Sequence, residues 1–165
     1  MSAATPPLVS VLLPCYEAER FLRPALDSLL AQTHEELDIV ALDDGSTDGT
    51  REILREYEAR DERIRVVVNE ENLGLIRTLN RGLAVAEGPL VARMDADDLS
   101  APERIERQVG ALADHPDVDA VGTGTRGIDA AGRTVERLPV RATEPLTVEF
   151  LSLFATPMVH GTLLA

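Results

Sequence analysis

The chain has 165 residues, 44% apolar but only 3% aromatic, so one domain with an aliphatic core is expected and wholesale disorder is excluded. Twenty-nine acids against 16 bases leave a formal charge of −13, which repels phosphate backbones and argues against a nucleic-acid binder. No apolar run approaches the ~20 residues that cross a bilayer, "MSAATPPLVS" carries no basic-then-apolar leader, and the single Cys15 can close no internal disulfide.

The first aliphatic run, "LVSVLLP" (8–14), is continuous and ends in proline, the pattern of a strand covered on both faces. "ERFLRPALDSLLAQ" follows, with Phe21, Leu22, Ala25, Leu26, Leu29 and Leu30 at helical spacing. "LDIVALDD" reads as a second strand. "STDGTREILREYEARD" reads as a helix opened by Ser46 or Thr47, with acids in its first turn that suit the helix dipole. "IRVVVN" and "LIRTLNRGLAVA" give a third strand and helix, and "GPLVARMD" a fourth strand. "APERIERQVGALADH" is a helix with Pro102 near its first turn, where a missing N–H costs little. "VDAVGTGTRGID" reads as a strand running to an edge, "DAAGRTVERLP" as a hairpin turning at Ala-Gly, and "HGTLLA" as the middle of a strand. This alternation predicts one α/β domain built on a mostly parallel sheet.

In such sheets ligands bind outside the carboxyl ends of the strands. The clusters "PCYEAE", "DDGSTD", "NEENLG" and "DADD" follow the four strands, so all fall on that one edge. "LDDGSTDGT" (42–50) has a plain reading as a turn, with Gly45 at positive φ and Ser46 or Thr47 capping a helix. Capping needs one acid at most, and Asp43 or Asp44 can accept a hydrogen bond from a nucleobase imide or a ribose hydroxyl. In an extended "MDADD", Asp95 and Asp97 share one side of the chain, and Asp98 is left to cap the next helix. Paired carboxylates suit Mg²⁺ or Mn²⁺, completed by phosphate oxygens and water. Asn72 and Gly74 mark a turn, Arg77 lies one helical turn on and near the crevice, and Arg81 reads as solvated. Arg93 shares the side of Asp95, either to neutralise it or to meet a diphosphate. His34, His115, His160 and Cys15 have no partners in sequence that suggest a catalytic set.

"VSVLLPCYEAERFLRPALDSLLAQT", "LDIVALDDGSTDGT", "ENLGLIRTLNRGL" and "ARMDADDLSAPERIERQV" together resemble the nucleotide-sugar half of a family 2 glycosyltransferase, closely over about residues 8–128. The resemblance implies the GT-A fold, a Rossmann-like sheet with helices on both faces, binding a nucleotide-diphosphate sugar through Mn²⁺ or Mg²⁺. It implies that Pro14, Tyr16 and Glu19 line the nucleobase pocket and that Asp43 or Asp44 bonds the base. Asp95 would then hold the ribose or the metal, and Asp97 would ligate the metal. Glu17 departs from the asparagine usual after the tyrosine.

The expected reaction is inverting transfer of a sugar, from a uridine-diphosphate donor by preference, to a saccharide or lipid-linked acceptor in surface polysaccharide or glycoconjugate synthesis. The expected location is the cytoplasm, including the inner face of the membrane as a peripheral protein. Family members continue into an acceptor region and a general base, so the single domain 1–165 is expected to be incomplete at its C-terminus, with the base beyond residue 165. The apolar stretch "FLSLFATPMVHGTLLA" would then favour self-association. A nucleotidyltransferase would need a Gly-rich basic loop after the first strand, which "PCYEAERF" is not. A nucleotide-binding module without catalysis would share all four clusters and lack only the base.

Overall fold

A computed structural model describes residues 5–129, 133–138 and 160–165. Four strands, β1 (Val9–Cys15), β2 (Leu37–Asp43), β3 (Ile64–Val68) and β4 (Leu90–Arg93), form a sheet in the order β3-β2-β1-β4. Every pairing in it is parallel, with Val9 opposite both Leu37 and Leu90. Helices α1 (Glu19–Leu30), α2 (Thr50–Arg60), α3 (Leu75–Val85) and α4 (Arg104–Asp114) alternate with the strands. The α/β class and parallel sheet are therefore as the sequence predicts.

The continuous apolar runs are explained by burial on both faces. Val9, Val11, Leu13 and Cys15 of β1 join Ile39 and Ala41 of β2 in one core with Leu22, Leu26 and Leu29 of α1 and Leu54 of α2. Leu12, Val40 and Leu42 point the other way and pack with Leu79 of α3. Aliphatic side chains of similar size thus fill both layers, which is why the scarcity of aromatics costs nothing here. Phe21, placed on the apolar stripe from its spacing, is 43% exposed and outside the core.

Three boundaries differ from the expectation. Helix α2 begins at Thr50, not Ser46: the Ser46 N–H is taken by Asp43 Oδ1 at 3.0 Å, and Asp48 accepts the N–H groups of Thr50 and Glu19, so the intervening residues stay a loop. Helix α4 begins at Arg104, with Pro102 in the turn before it. "HGTLLA" is a 3₁₀ turn at His160–Thr162 followed by a short antiparallel segment. Val91 and Ala165 exchange backbone hydrogen bonds of 2.7 and 3.0 Å, and Leu164 pairs with Val121 on its other side. Leu164 is fully buried there.

The predicted strand over 118–129 is split into that single bridge at Val121 and β5 (Thr125–Ile128). β5 pairs antiparallel with β6 (Thr134–Leu138), as a hairpin would; the Ala-Gly turn lies outside the described residues. So does most of the apolar stretch at 150–159. No described helix is long and apolar enough to cross a membrane.

Candidate functional site

The loops after β1 and β2 are laced together at the carboxyl edge. Ser46 Oγ accepts the Glu17 N–H at 3.2 Å, and Thr50 Oγ1 accepts the Ala18 N–H at 2.8 Å. In return Glu17 Oε1 accepts from the Thr47 N–H at 2.7 Å, and Glu19 Oε2 from the Gly49 N–H at 3.0 Å. Glu17 adopts a φ of 50°, a cost that the two hydrogen bonds of its side chain and the one of its N–H help to offset. The residue that departs from the family pattern is thus a cross-loop clamp. Glu19, also exposed, reaches the neighbouring loop in the same way through Oε2. Tyr16, 53% exposed, projects beside this lacing, and Pro14 closes β1 with partial burial.

Asp43 and Asp44 are both buried and do different things. Asp44 accepts from Asn69 Nδ2 at 2.7 Å, the Leu73 N–H at 2.8 Å and the Gly74 N–H at 3.0 Å. Burial acts to raise its pKa, but these donors, with Thr78, outweigh that and hold it below the usual carboxylate range. Asp43 accepts from the Ser46 N–H and from Arg51 Nε at 2.7 Å. Arg51 is 42% exposed, so one partner of Asp43 stands at the surface. Gly45 between them and the next loop has φ 72°, and a Cβ there would lie 2.5 Å from the backbone carbon of Glu71. Asp44 is thus committed to the loop after β3, while Asp43 holds its own turn at Ser46 and pairs with Arg51.

In the loop after β3, Asn72 Oδ1 accepts the Gly74 N–H at 3.0 Å. Arg77 is exposed and has no ion pair among the described residues. Arg81 is exposed, as expected, and its guanidinium also bonds Asn69 Oδ1 and the Val68 carbonyl. The buried Asn69 is what draws it in: one amide links Asp44, Thr78 and Arg81.

"DADD" is a turn and not an extended segment, because the Asp98 N–H bonds the Asp95 carbonyl at 3.1 Å. Ala96 is buried under it. A Cβ on Gly161 would sit 3.0 Å from the Oδ2 atoms of both Asp95 and Asp98, so those two carboxylates face one point, and Asp97 and Asp98 are both exposed. Asp98 does not cap α4. Partial desolvation, then the charges of Asp95 and Asp97, raise its pKa above the usual range. Arg93 Nη2 bonds Asp95 Oδ1 at 2.5 Å, so the neutralising role is met in the chain itself.

No three potential ligands converge on one metal-sized point among the described residues. A divalent cation does not require that: one or two carboxylates plus phosphate oxygens and water suffice for Mg²⁺. Mutually repelling acids with one carboxyl driven upward fit such an ion.

Residues the sequence reading passed over complete this corner. Arg104 is nearly buried, its Nη1 3.0 Å from the Gly161 carbonyl, and desolvation lowers its pKa to about 10. Gln108 Nε2 donates to the carbonyls of Val121 and Thr162. Both sit on the polar-looking positions of a helix, and only the returning segment at 161–165 turns those positions inward. Cys15 is buried, and burial followed by the charge of Asp43 pushes its thiol up, consistent with an inert role.

The sequence matches the glycosyl transferase family 2 model over residues 10–157. It is 37% identical over 159 residues to EpsE of Bacillus subtilis (strain 168), a protein assigned as a glycosyltransferase, covering 96% of this chain and 56% of that protein. Among solved structures, the mannosyltransferase PcManGT from Pyrobaculum calidifontis, in complex with GDP-Man and Mn²⁺, superposes with a TM-score of 0.64 at 33% identity. That match covers 70% of this chain and 35% of the other. S. aureus TarS (1–349) in complex with UDP-GlcNAc superposes with a TM-score of 0.64 at 29% identity, over 74% of this chain and 37% of that one. The chain thus spans about half the length of EpsE and just over a third of either structure. With strand order, acidic turn and sequence in agreement, the chain belongs to glycosyl transferase family 2 and has the GT-A fold.

Proposed function

We propose that this chain forms the donor-binding part of an enzyme that transfers a sugar, with inversion, from a nucleotide-diphosphate donor to an acceptor hydroxyl in surface polysaccharide or glycoconjugate synthesis. The observation that carries the reading is the turn of Asp95, Asp97 and Asp98 at the end of β4, next to the end of β1 that presents Tyr16. Relatives support the nucleotide: TarS is solved with UDP-GlcNAc and PcManGT with GDP-Man. The name of another relative, TuaG of Bacillus subtilis (strain 168), 44% identical over 103 residues, refers to teichuronic acid biosynthesis, which supports the polysaccharide assignment.

In this reading Tyr16 and Pro14 lie against the base, and Asp43, whose surface partner Arg51 can swing away, accepts its imide proton. Asn72 shapes the loop beside it. Asp97 and Asp95 hold Mn²⁺ or Mg²⁺, which would act as a Lewis acid on the leaving diphosphate. Arg77 and Arg93 add positive charge where the departing group gains negative charge. A uridine-diphosphate sugar is the first candidate donor, and a guanosine-diphosphate sugar the second. The reading takes its general base from outside the described residues; Asp114 ends α4, and Asp117 and Asp119 follow it.

A thermal-shift screen of nucleotide sugars with and without Mn²⁺, followed by a nucleotide-release assay with the responding donor, tests the reading. A metal-dependent rise in melting temperature with a uridine- or guanosine-diphosphate sugar is the expected result. No response to any nucleotide sugar would overturn it.

A further inference from the structure

A cleft of about 730 Å³ opens on the other side of the acidic turn, between the start of α4 and β5. Its size is that of a small-molecule site. Three arginines line it, Arg104, Arg107 and Arg126, against two acids, Asp98 and Glu103. That excess of positive charge stands out in a chain of net charge −13. Arg107 and Arg126 are exposed, and neither enters an ion pair among the described residues.

Arg104 forms the floor. One terminal nitrogen anchors the Gly161 carbonyl, while its Nε and Nη2 atoms are shut off from water and have no hydrogen-bond partner among the described residues. The Thr125 hydroxyl, also in the lining, is likewise buried and has no partner among the described residues. A buried guanidinium with unsatisfied donors projects a field that water does not screen, and an anion in the cleft above it would be stabilised without direct contact. The rim is apolar: Leu99 is 51% exposed and Ile128 41%. Apolar side chains flanking a basic cleft match a ligand with one carbon-rich face and one charged group.

We infer that this cleft binds an acidic sugar unit of the acceptor, its carboxylate or phosphate directed at Arg107 and Arg126 over Arg104, and its ring against Leu99 and Ile128. The assignment to the acceptor rests on the donor reading above, since Asp98 is shared between the acidic turn and the cleft wall. The charge preference rests on the cleft alone.

The test is amide-resolved NMR titration of this chain with glucuronate, glucose 1-phosphate, glucose and inorganic phosphate, with uridine diphosphate binding in the presence of Mn²⁺ measured in parallel by calorimetry. Glucuronate or glucose 1-phosphate should shift the amides of 123–128 at concentrations well below those needed for glucose. Which of the two acts at lower concentration distinguishes a uronate from a sugar phosphate. Arg107→Ala and Arg126→Ala should each weaken that binding about three- to fivefold, the scale of one exposed charge pair, and leave uridine diphosphate binding unchanged. Equal responses to glucose and glucuronate would overturn the inference, as would inorganic phosphate binding as well as either acidic sugar. Loss of uridine diphosphate binding in the unsubstituted chain would instead count against the donor reading.

Discussion

Asp44 is almost sealed from water, yet its carboxylate accepts three hydrogen bonds and its pKa lies below the usual range. Asp44→Asn would turn an acceptor towards donors into a donor among donors, costing roughly 1–3 kcal/mol of stability in urea denaturation. Asp43→Asn should cost less stability and more nucleotide affinity, as read by calorimetry. The reverse ranking would exchange their roles. Acid sensitivity has the matching sign: a carboxylate whose folded pKa is depressed contributes stability above its unfolded pKa. That contribution disappears as pH falls through the folded value. Asp44 and Asp38, the latter held down against its burial by Arg65, Ser10 and the Glu87 N–H, both act in this direction. Asp98 acts in the opposite one. Its raised pKa means that stability declines as pH rises from the ordinary carboxylate value through the raised one. Asp98→Asn should therefore raise the metal-free melting temperature at pH 7, and a fall would show that the acids do not repel. The presence of both acidic clusters was legible in the sequence. The division of labour between Asp43 and Asp44 was not, because it depends on Asn69 and Gly74 arriving from a different loop.

At the scale of elements, the parallel strands were readable because burial on both faces leaves an unbroken aliphatic run, as "VSVLLPC" of β1 shows. The antiparallel segment at 163–165 was not separable from its 3₁₀ turn, since "HGTLLA" is too short to carry a period. Helix starts failed for a related reason. Ser46 and Thr47 look like caps, but their groups are committed across the gap to Glu17, a contact with no local signature. Asp95–Ala96–Asp97–Asp98 folds as a turn with Ala96 buried under it, and the carboxylates of Asp95 and Asp98 both face Gly161, a placement no local pattern signals. The returning segment also belongs to the core. Leu164 has no exposed surface and packs with the cluster that includes Met94 and Ile105. Leu164→Ala should cost about 2–5 kcal/mol in urea denaturation, the range for a buried leucine. A loss below about 1 kcal/mol would mean that this segment only rests on the sheet edge.

Across the whole molecule, one edge of one sheet collects the chemistry. Tyr16 follows β1, Asp43 closes β2 with Asp44 just after it, Asn72 follows β3 and the acidic turn follows β4, and parallel pairing makes all four ends neighbours. The acidic turn also borders the arginine-lined cleft, through Asp98. The proposed transfer needs donor and acceptor held together at one carbon. Its central requirement is that the acidic turn binds a nucleotide diphosphate through a cation. Calorimetry with uridine diphosphate and guanosine diphosphate, with and without Mn²⁺, on this chain and on Asp97→Ala measures it most directly. The account predicts that Mn²⁺ tightens binding of one nucleotide at least tenfold, about 1.4 kcal/mol, and that Asp97→Ala removes this increment without lowering the melting temperature. An undiminished Mn²⁺ effect in the substituted chain would contradict it.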